Sequence, residues 1–368
     1  MLASSQIPYL IGERKPVTLT TRTANVVTAD AVIESVALSA QGRRLAFWCE
    51  SLPGPVGSCF AQSFSAEGAP ESGVVPVFDL PPADQERIFS RWGAAIWTSE
   101  DEALLLIGCR RARAGNQLLV QRWNRGRVTE PAQVSNAFEL GTWGTLVRTT
   151  SGEIDAVWRE EARSFSFSTR RITVEGTPEG APVRLEKVWE LALPRAVAAA
   201  GTRNGISLAW SEMHNHHPTV YVAQFDRNGK RTGEPLIVFD DLAVDDPLLV
   251  IGRNEQVVVA ATTPEHDVLL RAVGGPLITV TRSAEPGSLR LAKNTSDEIA
   301  VAWRTRYSDV QLRTYTPTLE PLTETTDVAT GIEKPFLSLG SRGTSWLLHF
   351  RKVPEDAKLH YLWLTYAP

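Results

Sequence analysis

The sequence lacks several features that would assign the chain to a common functional class. No apolar run approaches the roughly eighteen residues of a membrane span. Lys and Arg number 38 against 42 Asp and Glu, which gives a formal net charge of −4. A dedicated nucleic-acid binder would carry a basic domain instead. The sequence therefore predicts neither a membrane span nor a nucleic-acid partner.

Catalytic motifs are also missing. The sequence has no Gly-x-Ser-x-Gly nucleophile elbow and no His-Glu-x-x-His pair. A carboxylate pair for glycoside cleavage would have to come from Glu160, Glu161, Glu212 and Glu265, and the sequence does not give their separation. We therefore assign no catalytic residue, and a binding protein is expected more than an enzyme.

Cysteine is scarce, with three residues in 368. Cys49 ends one predicted strand and Cys59 opens the next, where a cross-hairpin disulfide would meet the usual Cα separation of about 4.4–6.8 Å. Cysteine also packs as a small buried hydrophobe, so both interpretations stay open. A bridge from Cys49 to Cys109 is not expected, because equivalent strands of stacked sheets lie about 10 Å apart.

The first residues do not resemble a signal peptide. Residues 1–5 have neither a basic region nor an apolar core. Two explanations are open: a cytoplasmic protein, or an extracytoplasmic protein whose leader has been removed. We favour the second and leave the compartment as an expectation.

A repeat of about fifty residues is the main feature that the chain does contain. Each copy is a short apolar strand that ends in an aromatic or small residue, followed by a polar turn and a second alternating strand. This pattern is typical of a β-propeller blade. The clearest copies lie at residues 45–48, 155–158, 207–210 and 300–303, and weaker copies lie at 106–108, 258–260 and 347–350.

These repeats predict an all-β fold, a single seven-bladed β-propeller of four-stranded antiparallel blades. The last blade supplies only three strands, and residues 15–21 alternate like the outer strands of other blades. We therefore expect residues 15–21 to pair into the last blade and close the ring, which removes exposed sheet edges. The predicted blades span residues 28–82, 83–136, 137–187, 188–241, 242–283, 284–329 and 330–368, in one domain over 1–368.

Two segments resemble known bacterial repeats. Residues 38–47 resemble the TolB-like propeller repeat, although Ala40 and Gln41 replace its usual Pro-Asp. The segment from Ala209 to Gly229 is similar to repeats of secreted bacterial propellers. The resemblance implies a propeller that binds proteins or surface components. The matched residues form the fold, so the resemblance carries over no functional residue.

Arginines concentrate in the segments that join second to third strands, which emerge on one face of a propeller. A ring of guanidinium groups suits carboxylate, sulfate or phosphate ligands, because each offers a planar fork of donors. The alternative is that they are solvated loop residues in weak ion pairs with Glu160, Glu161 and Asp309. The predicted binding residues are Arg110, Arg111, Arg113, Arg159, Arg163, Arg304 and Arg306.

Four of the six histidines lie in two of these segments. His214, His216 and His217 are close in sequence, and His266 lies in the corresponding segment of the next repeat. With neighbouring carboxylates they form a candidate site for zinc or another divalent ion. A polar turn that enters a strand explains the same residues. No other cofactor is expected.

The aromatic residues are expected to pack inside the fold. Trp48, Trp158, Trp210 and Trp303 recur in register, as packing between blades requires. Trp143 is the one considered for a ligand contact, with burial the better interpretation.

We therefore predict a non-catalytic binding or assembly module that recognises a protein partner through the loop-rich face. The alternative is a carbohydrate-active propeller, a lectin or a polysaccharide hydrolase or lyase, that acts on an acidic glycan.

Overall fold

The fold was analysed in a computed structural model, which describes most of the chain. Within the described residues no helix is long and apolar enough to cross a membrane. The described residues are 16–25, 31–50, 59–78, 92–111, 115–135, 140–161, 165–188, 197–214, 217–240, 242, 244–307, 309–330, 337–343, 345–351 and 358–366.

Short alternating segments rich in Val, Leu and Ala form antiparallel sheets, most of which have their strands in chain order. We label the sheets by letter in chain order. Sheet A holds β2 (Ala31–Leu38), β3 (Arg44–Glu50), β4 (Cys59–Phe64) and β5 (Val75–Val77). Sheet B holds β6 (Trp92–Trp97), β7 (Glu102–Arg111), β8 (Gly115–Asn124), β9 (Arg127–Val128) and β10 (Ala132–Gln133).

The next three sheets follow the same order. Sheet C holds β11 (Leu140–Arg148), β12 (Ile154–Glu161), β13 (Phe165–Ile172) and β14 (Val183–Val188). Sheet D holds β15 (Val197–Gly201), β16 (Gly205–His214), β17 (His217–Asp226) and β18 (Leu236–Phe239). Sheet E holds β19 (Asp245–Ile251), β20 (Val257–Thr262), β21 (Val268–Ala272) and β22 (Leu277–Thr281), with a 3-10 turn at Arg253–Glu255.

The last two sheets include both ends of the described chain. Sheet F holds β23 (Arg290–Lys293), β24 (Ile299–Arg304), β25 (Val310–Tyr315) and β26 (Thr326–Ala329). Sheet G holds β27 (Leu337–Arg342), β28 (Ser345–Arg351), β29 (Lys358–Tyr366) and β1 (Pro16–Asn25). In sheet G, β1 pairs antiparallel with β29, with Leu19 opposite Leu364. It holds the outer position that the sequence prediction gave to residues 15–21.

The sheets are the blades of a propeller. Their first strands contact one another in chain order from β2 through β6, β11, β15, β19 and β23 to β27, and β27 also contacts β2. At that last contact a Cβ added to Gly340 would lie 2.9 Å from a methyl carbon of Leu38. Glycine therefore permits the close approach of these two strands.

Large side chains fill the spaces between neighbouring sheets. Trp48, Trp158 and Trp303 have 0% exposed surface and Trp210 has 2%, so the prediction that they pack inside the fold is confirmed. Trp210 packs with Phe167 of sheet C at a ring-centre distance of 6.3 Å. Trp143 is partly buried against the same cluster, as expected. Burial of side chains of this size contributes about 2–3 kcal/mol each.

Because strand order and direction repeat, the two ends of the sheets differ. One end, which we call the turn face, carries the turns from first to second and from third to fourth strands. The other end, the connection face, carries the segments from second to third strands and the crossings between sheets. On the turn face, Gly42 has φ 85° and the Arg43 amide donates to Ser39 Oγ at 3.0 Å. Short capped turns of this kind leave the turn face compact.

Candidate functional site

Arginine and acid side chains tie neighbouring sheets together on the turn face. Arg43 of sheet A donates to Glu71 at 2.7 Å and to Asp101 of sheet B at 2.8 Å. The Arg43 guanidinium also lies 5.5 Å from the ring centre of Trp97. Arg125 donates to the other oxygen of Asp101. These two hydrogen bonds lower the pKa of Asp101 from 3.8 to about 2.

A similar network joins sheets C and D on the same face. Arg171 forms ion pairs with Glu153 at 2.7 Å and with Asp155 at 3.3 Å. Arg227 of sheet D reaches Glu153 at 3.3 Å. Burial nevertheless raises the pKa of Asp155, and Arg171 opposes that rise. The paired charges on this face hold sheets together, so the turn face is an unpromising site for a ligand.

The connection face carries hairpins whose pairing runs to their tips. In sheet B, β7 and β8 pair as far as Arg111 opposite Gly115. In sheet D, β16 and β17 pair as far as His214 opposite His217. Arg110 and Arg111 were predicted in a connecting loop, and that placement is wrong, because the ladder continues through them. Both are strand residues at a hairpin tip.

Arg159 is also placed differently from the prediction. It belongs to β12, opposite Phe167, and it is 2% exposed. Its guanidinium lies 5.2 Å from the ring centre of Phe165. The prediction of an exposed loop residue is therefore wrong, because strand pairing extends past Trp158 and carries Arg159 into the interior. From this buried position, Arg159 packs against the β12–β13 hairpin.

Arg304 is buried at the equivalent place in sheet F, where it is 6% exposed and ends β24. Its guanidinium forms an ion pair with Glu285, and its backbone amide donates to Ser288 Oγ at 3.0 Å. Glu285 returns an amide hydrogen bond to the Arg304 carbonyl at 2.7 Å. The loop placement predicted for Arg304 is wrong for the same reason as for Arg159.

Arg306 differs from Arg304 by being exposed in the turn that follows β24. Tyr307, beside it, is 85% exposed. The sequence prediction put Arg306 on the connection face, and it lies there. Arg113 and Arg163 fall outside the described residues, so their predicted roles stay predictions.

The predicted metal ligands are only partly described. His216 lies outside the described residues, and His214 and His217 are described as strand positions alone. His266 Nδ1 lies 2.9 Å from the Ala284 carbonyl oxygen. Among the residues that the structure describes, no group of three or more His, Cys, Asp or Glu is arranged to hold a metal ion. The metal site stays a prediction.

A Trp-x-Glu pairing occurs twice on the connection side. Trp158 Nε1 donates to Glu160 at 3.0 Å, and Trp210 Nε1 donates to Glu212 at 3.3 Å. Tyr221 stacks on Trp210 at 5.8 Å, and burial, with Glu212 and Asp240, raises the pKa of Tyr221. The sequence analysis did not predict this hydrogen bond, although a Glu two residues after each of these Trp residues is visible in the sequence.

Cys49 and Cys59 form a disulfide. The two residues lie directly opposite each other on β3 and β4, with Cα atoms 4.0 Å apart. Of the two interpretations that the sequence left open, the bridge is the observed one. It fixes the end of the β3–β4 hairpin on the connection face.

Comparisons with known proteins support the fold. No protein-family model matches the chain, and a search of curated proteins found no match. Among solved structures, the chain is similar to the BP39L lectin from Burkholderia pseudomallei, with a TM-score of 0.60 and 12% identity over 92% of this chain and 99% of that one.

Two enzymes also share the architecture. Polysaccharide lyase Uly1 has a TM-score of 0.56 and 9% identity, with 90% of this chain and 89% of that chain covered. A puromycin-hydrolyzing peptidase of Mycobacterium tuberculosis has a TM-score of 0.58 and 15% identity, with 95% of this chain covered and 55% of the peptidase. At these identities the likeness shows a propeller fold and no particular function.

Proposed function

We propose that the sheets form one closed, seven-bladed ring and that this ring is a non-catalytic module that binds a protein partner through the connection face. Support for the ring comes from the contact of β27 with β2 and from the pairing of β1 with β29. A rigid ring that presents side chains from several hairpins loses little backbone entropy on binding.

One observation carries the functional proposal, namely the position of two arginines at the tip of a fully paired hairpin. On the turn face, Arg43 and Arg227 bind acids of a neighbouring sheet, and Arg171 binds acids within sheet C. On the connection face, the β7–β8 hairpin keeps its pairing out to consecutive arginines at its tip. Well-paired strands hold these positions in place, which suits recognition of a partner.

The arginines divide into two roles in this proposal. Arg110, Arg111 and Arg306 contact the partner, together with Arg113 and Arg163. Arg159 and Arg304 are buried, so we assign them to holding the hairpins in position. Arginine suits both roles, because its planar fork binds carboxylates and stacks on aromatic rings.

We also propose an extracytoplasmic location. The Cys49–Cys59 disulfide supports it, because such bridges persist in oxidising compartments and are rare in reducing ones. The resemblance to secreted bacterial propeller repeats agrees with this location.

A carbohydrate-active role is the second candidate. It is favoured by the similarity to a lectin and to a polysaccharide lyase that each align over most of their length. In that role the connection-face arginines would bind the carboxylates or sulfates of an acidic glycan. Binding and turnover assays with sulfated and uronate polysaccharides test it.

The histidine positions keep a further proposal open. His214 and His217 end the β16–β17 hairpin and His266 lies in the equivalent turn of sheet E, so a divalent ion would bind between these two hairpins. Elemental analysis of tag-free protein tests this, and far less than one ion per chain would end it.

Affinity capture tests the main proposal. The wild type is compared with Arg110→Ala/Arg111→Ala in lysate and culture medium of the source organism. The control is Arg203→Ala/Arg253→Ala, which removes two exposed turn-face arginines. We expect a stoichiometric protein with the wild type and the control, and its loss with the hairpin variant. Equal capture by all three proteins would contradict the connection-face assignment.

A further inference from the structure

Tyr307 is the most exposed large hydrophobic side chain of the described residues, at 85%. It lies on the connection face, in the turn between β24 and β25. Of the other exposed side chains of this type, Leu236 at 54% and Ile237 at 50% lie on an outer strand, and Val174 at 45% lies on the turn face. Burial of an exposed aromatic ring against a partner lowers the free energy of the complex.

Hydrogen bonds from Thr305 hold the backbone at Tyr307 and Asp309. The Thr305 amide donates to the Asp309 carbonyl at 2.7 Å and closes the turn. The Thr305 hydroxyl accepts from the Tyr307 amide at 3.2 Å and from the Asp309 amide at 3.3 Å. The Tyr307 amide is therefore already bonded, so a partner that binds there has little backbone left to fix at this residue.

The base of the turn is anchored to the crossing from sheet E to sheet F. Thr305 forms an isolated antiparallel bridge with Ala284, and Arg304 pairs with Glu285. Ala284 in turn donates its amide to the His266 carbonyl at 3.0 Å. Sheets E and F therefore share one hydrogen-bonded support under Tyr307.

The charge beside the ring is positive. Arg306 is exposed and forms no ion pair with a described residue. Of the nearby acids, Glu285 is engaged with Arg304, and Asp309 is half-buried in the turn. Tyrosine and arginine are the residue types most enriched where truncation weakens protein–protein binding.

We propose that Tyr307 and Arg306 form a docking knob that enters an apolar pocket with a carboxylate at its rim on a protein partner. This inference rests on the proposed function and names the contact that sheet F makes. The projecting turn favours a protein over a glycan, because sugars are usually held in concave sites lined by several polar groups.

The test measures the affinity of the purified captured partner for matched variants by calorimetry. We expect Tyr307→Ala to weaken binding at least about tenfold and Tyr307→Phe to bind nearly as the wild type does, since the ring supplies the contact. Arg306→Glu should weaken binding more than Arg306→Lys, because the rim is acidic. Val174→Ala, at an exposed site of the turn face, is the control and should change nothing.

The outcomes separate the two proposals. If Tyr307→Ala binds as tightly as the wild type while Arg110→Ala/Arg111→Ala does not, the knob is wrong and the connection-face module stands. If no protein is captured at all, the module is wrong and the knob falls with it. If Tyr307→Ala instead abolishes binding to heparin or another sulfated glycan, the knob binds sugar and the protein pocket is wrong.

Discussion

Two arginines of the same turn region have opposite environments. Arg304 is 6% exposed and paired with Glu285, whereas Arg306 is exposed. Arg304→Ala leaves Glu285 without its partner, and we expect it to lower the free energy of unfolding by about 2–3 kcal/mol. Arg306→Ala should change it by less than about 0.5 kcal/mol. Chemical denaturation measures both, and equal effects would show that the assigned environments are wrong.

Asp101 should make stability depend on pH in the acid range. Its pKa is about 2 in the folded chain against an ordinary value of 3.8, because Arg125 and Arg43 bind the charged form. A lowered folded pKa means that this contribution is complete above 3.8 and is lost as the pH falls to about 2. We expect Asp101→Asn to be less stable than the wild type at pH 7 and equal to it below about pH 2. Denaturation at several pH values measures the difference, and a constant difference would contradict the assignment.

Residue environments were the hardest features to predict. Charged residues after an aromatic looked like loop residues in the sequence, yet strand pairing continues through Arg159 and Arg304 and buries them. The contacts of these residues are made with other segments of the chain, as Arg304 does with Glu285. Tryptophan burial was predictable, because the repeat places each Trp at the same point of a strand.

At the scale of elements, the Cys49–Cys59 bridge should stabilise the β3–β4 hairpin and sheet A with it. A bridge that closes a loop of about ten residues contributes about 3 kcal/mol in the chain-entropy account. We expect Cys49→Ala/Cys59→Ala to lower the free energy of unfolding by about that amount. Thiol titration of the unreduced, unfolded chain should give one thiol, from Cys109, and three would contradict the bridge.

Strand positions followed from the sequence more closely than strand lengths. For the blade at residues 188–241, the repeat pattern and the Asn228-Gly229 turn predict strands at residues 195–200, 205–210, 219–225 and 234–239. The observed second and third strands are Gly205–His214 and His217–Asp226. The added residues are mostly polar, so no hydrophobic alternation marks them. Those extensions are where the candidate site lies, which explains why its geometry was less predictable than the fold.

At the scale of the whole molecule, the thermal stability of every sheet should depend on β1. It pairs with β29 along nearly its whole length, from Pro16 to Asn25. If the ring is closed, deleting residues 1–25 exposes the edge of sheet G and lowers the melting temperature of the entire domain. Deleting residues 1–15 keeps β1 and is the control. An unchanged melting temperature after the longer deletion would contradict closure by this strand.

In our proposal, the turn face holds the molecule together and the connection face binds the partner. Hydrogen–deuterium exchange of the chain with its captured partner tests that division most directly. We predict that binding protects the hairpin tips near residues 110–116 and 214–217 and the turn at 305–309, and leaves the turns at 226–230 and 252–256 unchanged. Protection of those turn-face segments, with none at the hairpin tips, would contradict the account.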